Sequence, residues 1–188
     1  MAIEKIVPDA VTTPNPAWTT NPHLQLDADD SNYATIAGAN TGNTFIVSFG
    51  DLTSTIGSIN SIRFYVNGFC GVVRGTTGVC SFDLMNASDS SYSLSENITF
   101  TSTVSTIHSG TERTTSDGST AWTESDVNGL RIKVGFSSIT NSSATMNLDH
   151  LYIDVDYEEP AADTYDKLVQ NLHITSGNVY LKSGNVYI

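Results

Sequence analysis

The chain has 188 residues, 39% of them hydrophobic and 15% charged, and its 8 basic residues against 20 acidic ones leave a net charge of -12. That length buries a substantial core and suggests one principal domain with appendages. The acidic balance excludes phosphate-backbone binding to nucleic acid and attraction to anionic membrane surfaces, since both need clustered Lys and Arg. Ser, Thr, Asn and Gly take the places that charges usually fill, which suits short polar-faced strands and turn-rich connections rather than helices. No stretch approaches the ~20 apolar residues of a membrane span, and no secretory leader is legible at the start. Synthesis in a cytosol is therefore expected, and the sequons at Asn86, Asn97 and Asn141 read as chance matches.

Residues 1–22 hold Pro8, Pro14, Pro16 and Pro22, so an extended N-terminal arm is expected there. It either drapes over the surface or lies on a neighbouring subunit with Ile3, Ile6 and Val7 as attachment anchors. The segment HLQLDADDSNYATI then clusters Asp27, Asp29 and Asp30 beside Ser31 and Asn32. Clustered carboxylates suit a hard cation such as calcium, although the Gly and distal Glu of a calcium loop are missing and a solvated acidic turn explains them as well.

Period-two alternation marks the strands. It runs through Phe45, Val47 and Phe49, then Ile62, Phe64 and Val66, then Cys80, Phe82 and Leu84, then Ile98, Phe100 and Val104. A hairpin over residues 62–84 turning near Gly75 would set Cys70 and Cys80 equally far from the turn, either as buried thiols or as a pair oxidised outside a cell. The clearest runs come last: Leu130, Ile132, Val134 and Phe136, and then Leu151, Ile153, Val155 and Tyr157. Opposite the latter, His150, Tyr152, Asp154, Asp156 and Glu158 point outward as a solvated face that protects a closing strand. Gly, Ser and Asn clusters separate these runs as turns.

The expected fold is thus all-β, a jelly-roll-like antiparallel two-sheet sandwich over residues 23–158. Residues 159–188 add a linker, a short amphipathic helix with Tyr165, Leu168, Val169 and Leu172 on one side, and the repeats SGNVYLK and SGNVYI. Two such units cannot bury their apolar sides alone. Val179, Tyr180, Leu181, Val186, Tyr187 and Ile188 are therefore the expected oligomerisation residues.

Chemistry is harder to find. His23, His108, His150 and His173 are scattered and sit in no motif, Gly occurs without phosphate-loop spacing, and two cysteines without a nearby His cannot hold zinc. Trp18, Tyr33, Tyr65, Tyr92, Trp122 and Tyr152 are candidates for stacking on a sugar or a protein partner, with Trp122 as readily a plug at one end of the sandwich. A hydrolase ranks last.

The segments DDSNYA, SINSIRFYV, WTESDVNGLRIKVGF and LDHLYIDVDY give residues 18–157 a pattern that resembles the jelly-roll modules in structural proteins of tailed bacteriophages. The tail ITSGNVYLKSGNVYI is similar to the short repeats of trimeric phage fibres. The resemblance implies a non-enzymatic virion component made in a host cytoplasm, assembled as a homotrimer with capsid or tail proteins as partners. The short chain and its two repeats favour a capsid decoration or cement protein. The alternative is a tail-associated receptor- or carbohydrate-binding module, for which glycans are the partners. No cofactor is implied, calcium at Asp27, Asp29 and Asp30 aside.

Overall fold

The computed structural model describes residues 2–19, 21–71, 75–101 and 104–161, together with the main chain of 181–182 and 185–186. In chain order the elements are β1 (Ala2–Ile6), β2 (Pro8–Thr13), α1 (His23–Leu26), β3 (Ala34–Ala37), β4 (Thr44–Phe49), β5 (Ser58–Gly71), β6 (Gly78–Met85), β7 (Ser91–Phe100), β8 (Thr106–Ser109), α2 (Glu124–Asn128), β9 (Arg131–Ile139), β10 (Thr145–Glu158), β11 (Leu181–Lys182) and β12 (Asn185–Val186). A 3-10 turn over Gly38–Asn40 follows β3.

Two antiparallel sheets form the sandwich. The first runs β1-β10-β5-β8, and the second β2-β4-β9-β6-β7. β5 flanks β10 along its length, while the other side of β10 is shared: β3 takes Thr145–Leu148 and β1 takes Ile153–Tyr157. The alternation seen in sequence is the packing of this sandwich. Phe45, Phe64, Phe82, Phe100 and Phe136 are fully buried between the sheets, and Phe64 on β5 meets Phe82 on β6 with ring centroids 5.3 Å apart. Trp18 closes one side edge-on to Phe45 at 4.9 Å. Trp122 is buried, as a plug would be, and donates its indole N–H to the Arg113 carbonyl at 3.0 Å. α2 begins directly after it, with Thr123 and Asp126 capping one another's backbone N–H groups.

Three expectations change. Residues 1–22 are not an arm, because β1 edges the first sheet and β2 edges the second. Pro8 is compatible with this because an edge strand, and its first residue above all, need not donate to a ladder. Of the proposed anchors, Ile6 lies in the core, Val7 is half-buried between the two strands, and only Ile3 is exposed, at 68%. Residues 62–84 are not a hairpin, because β5 and β6 belong to different sheets. Cys70 and Cys80 are free, buried thiols in the interior, with Cys70 Sγ 3.8 Å from Met146 Sδ. Burial pushes both thiols up from their ordinary range. Lastly, β10 is central rather than a closing edge, so its outward acids face neighbouring strands on both sides.

The helix expected over 165–172 lies outside the described residues. Of the expected oligomerisation residues, Leu181 and Val186 are opposite one another in the β11–β12 ladder, and Val179, Tyr180, Tyr187 and Ile188 lie outside the described residues.

Two outcomes check this architecture. Ile6→Ala should lower the unfolding free energy by about 2–5 kcal/mol, against less than about 0.5 kcal/mol for Ile3→Ala, in urea denaturation. A thiol reagent should label neither cysteine of the folded chain and both after unfolding in guanidinium.

Candidate functional site

Antiparallel register sets side chains of adjacent strands directly opposite one another, and three such rows cross the outer face of the first sheet. Ile3, Asp156 and Ser61 make the first, and Lys5, Asp154 and Arg63 the second. Tyr152, Tyr65 and Ser109 make the third. Glu112, in the segment after β8, accepts from Ser61 Oγ at 2.9 Å and from Arg63 Nη2 at 2.8 Å. The second row therefore reads cation, anion, cation, anion from Lys5 to Glu112.

These side chains line a groove of about 160 Å³ formed by Ile3, Ser61, Arg63, Tyr65, Glu112, Asp154 and Asp156. Its floor is aromatic at one end. Tyr65 and Tyr152 stack with centroids 4.9 Å apart and planes 12° from parallel, and Lys5 Nζ sits 3.8 Å above the Tyr152 ring. His150 packs against the same ring at 4.7 Å. The Lys5 contact is a cation–π pair, and with His150 it leaves Tyr152 only 8% exposed.

Electrostatics follow from the packing. Burial pushes the Asp154 carboxyl up, and Lys5 and Arg63 partly offset this. Burial also raises Tyr152, helped by Asp154 and Tyr65. Burial lowers His150, as does Lys5, while Asp29 and Asp27 act in the other direction. Ser61 spends its hydroxyl proton on Glu112, and the lining residues include no histidine to act as its base. What the groove supplies is a fixed set of carboxylates, a guanidinium and a half-exposed phenol on rigid strands.

β1 brings Ile3 and Lys5 to this face and is itself held by Glu4. The Glu4 carboxylate accepts from the Thr53 amide at 2.7 Å, the Thr53 hydroxyl at 2.8 Å and the Ser54 amide at 3.1 Å. Burial opposes ionisation there, but these hydrogen bonds from Thr53 and Ser54 prevail and hold the carboxyl below its ordinary range.

The remaining candidates are placed as follows. Trp18 and Trp122 are core residues, Tyr33 packs edge-on to Phe69 at 5.1 Å, and Tyr92 packs edge-on to Trp122 at 5.3 Å, so no flat aromatic platform forms from them. His150 is half-buried rather than solvent-exposed. Asp27, Asp29 and Asp30 are exposed on the loop after α1, where Asp30 accepts from the Asn32 amide at 2.9 Å. Among the described residues no three Asp, Glu, His or Cys side chains are already assembled as a metal-binding set. Asp29 instead meets Asp149 of β10, a residue the strand pattern overlooked. Burial and the Asp29 carboxyl push Asp149 up to about 6. The signal was present in TMNLDHLYIDV, where the apolar parity switches between Leu148 and Leu151.

Glu4→Gln should cost roughly 1 kcal/mol at pH 7, solvent screening keeping it at the low end. Because the folded carboxyl is depressed, its contribution is present above the unfolded value of about 4.3 and disappears as pH falls through the folded one. Denaturation curves of the two proteins should therefore converge in acid.

Neither a family model nor a curated protein matches the sequence. Among solved structures, the CBM36-1 domain of a multidomain xylanase from the hindgut metagenome of Trinervitermes trinervoides is similar at 9% identity and a TM-score of 0.42, over 84% of this chain and 98% of that one. Truncated AlyQ with CBM32 and alginate lyase domains is similar at 16% identity and a TM-score of 0.45, over 84% of this chain but only 34% of that one. Mud crab tombus-like virus is similar at 9% identity and a TM-score of 0.31, over 91% of this chain and 87% of that one. Likeness at this level is one of layered strands, and it carries no argument about ligand or role.

Proposed function

We propose that the chain is a non-enzymatic structural and binding module of a virion, that its docking surface is the groove on the outer face of the first sheet, and that it is displayed as a symmetric trimer in a capsid-decorating role. The observation that carries the binding part is the row Lys5–Asp154–Arg63–Glu112 beside the Tyr65–Tyr152 stack. Charges of alternating sign on adjacent strands set register and orientation for a partner surface more than raw affinity. Exposed Ile3 at one end of the groove supplies an apolar contact. The virion part is supported by the resemblance of residues 18–157 to phage structural sandwiches and by the two tail repeats. The negative charge of the chain suits a basic partner surface.

One observation favours a second reading, a receptor- or carbohydrate-binding module at a tail. Tyr65 stands next to Arg63 and near two carboxylates, and sugars present hydroxyls to such groups while their apolar faces stack on phenol rings.

Co-sedimentation with purified particles stripped of this chain tests the first reading. The wild type should rebind, and Arg63→Ala and Tyr65→Ala should each weaken rebinding by about tenfold or more. No rebinding, together with glycan-array signals that both substitutions abolish, moves the groove to the second reading. Light scattering should show a trimer that becomes a monomer when residues 173–188 are removed; an unchanged mass rejects the tail as the oligomerisation element.

A further inference from the structure

Away from the groove, β10 carries one anomaly. Between Leu148 and Leu151 its register against β5 shifts, because three steps along β10 match two along β5. Such a bulge re-aims the side chains within it. Asp149 lies in that bulge, is 2% exposed, and has its Oδ1 atom without a hydrogen-bond partner among the described residues. The carboxyl does meet the Asp29 carboxyl at hydrogen-bonding range and accepts from the Ser31 backbone, and it feels the charge of Asp30. None of the ion pairs among the described residues involves Asp149 or this loop. Lys5, the cation on the same sheet face, sits over Tyr152. His150, the next residue along β10, feels the Asp29 charge but is held toward its neutral form by burial and by Lys5, so a buried carboxylate placed against a second carboxylate has no fixed positive partner.

We propose that Asp149 and Asp29 hold a divalent hard cation of the calcium class between β10 and the loop after α1. All the donors there are oxygens, which suits calcium or magnesium and not the nitrogen- and sulfur-seeking metals. Only two carboxylates converge, so main-chain oxygens and water complete the shell. Calcium's flexible sphere of 6–8 oxygens at 2.3–2.6 Å accepts that, whereas magnesium demands a near-ideal octahedron. Asp27 and Asp30 are exposed on the same loop and add negative potential at the mouth. The site differs from the Asp27, Asp29 and Asp30 trio suggested by sequence, because its anchor is a buried strand residue. It is independent of the groove and of the virion reading.

The full chain, freed of metal with EDTA and then dialysed, is titrated with calcium chloride at neutral pH by calorimetry and thermal melting. Saturable binding near one ion per chain is expected, with a melting temperature raised by about 5 °C or more at a hundredfold excess over Kd. Asp149→Asn and Asp29→Asn should each weaken binding by about tenfold or more, and Asp117→Asn, on a distant turn, should leave it unchanged. Asp29 is exposed, so that variant stays informative if Asp149→Asn fails to fold. Absence of saturable binding overturns the proposal, as does calcium binding indifferent to Asp29→Asn. A melting temperature indifferent to calcium but raised by Asp149→Asn identifies a carboxyl pair sharing a proton instead.

Discussion

β10 is hydrogen-bonded to three partners at once, and the first sheet exists through it. β5 runs along one side, and β3 and then β1 share the other, so of the strands in this sheet only β8 is attached without touching it. The apolar residues Leu151, Ile153 and Val155 must face the second sheet, which fixes where Tyr152, Asp154 and Asp156 point. A slip of one residue would place those carboxylates in the core, so the buried face specifies the register and the register specifies the groove. The groove is therefore a by-product of core packing, assembled from strands whose inward faces are already committed.

The second sheet is the mechanical backing. Phe82 packs on Phe64 of the first sheet, and Phe45 and Phe136 are fully buried in the same interior, so the strands that carry the Lys5–Asp154–Arg63–Glu112 row rest on a filled core. Side chains anchored to strands position a ligand more sharply than side chains on loops. The loop after α1 is different. It is mostly exposed and meets the sheet where β10 departs from regular pleating.

Much of this was legible in the chain. The alternating runs at 45–49, 62–66, 80–84, 130–136 and 151–157 are strands, because half-buried strands print their packing as period two. β1, β2, β3 and β8 were not legible. They are short or proline-bearing edge pieces whose stability comes from a partner strand distant in sequence, and a local pattern does not record that partner. For the same reason the outward acids of β10 looked solvated: their cationic neighbours Lys5 and Arg63 come from β1 and β5. Cys70 and Cys80 show the limit of symmetry arguments, since equal distance from a turn does not imply one ladder when the chain changes sheets between them. Asp149 was hidden by a bulge, which breaks the parity on which the strand reading relied.

The pairing of β1 with β10 also constrains the order of events in folding. Ala2 opposes Tyr157, so the first strand made finds its partner only when the last long strand has emerged. Until then the N-terminal segment has one ladder available, that of β2 with β4, and the exposed edge of the nascent first sheet stays open. Contacts this distant in sequence carry a large loop-closure entropy and slow the final step. The edge is thus open to another copy of the same chain for as long as synthesis of β10 is incomplete, and strand exchange between nascent copies competes with closure in a way that local chain concentration controls.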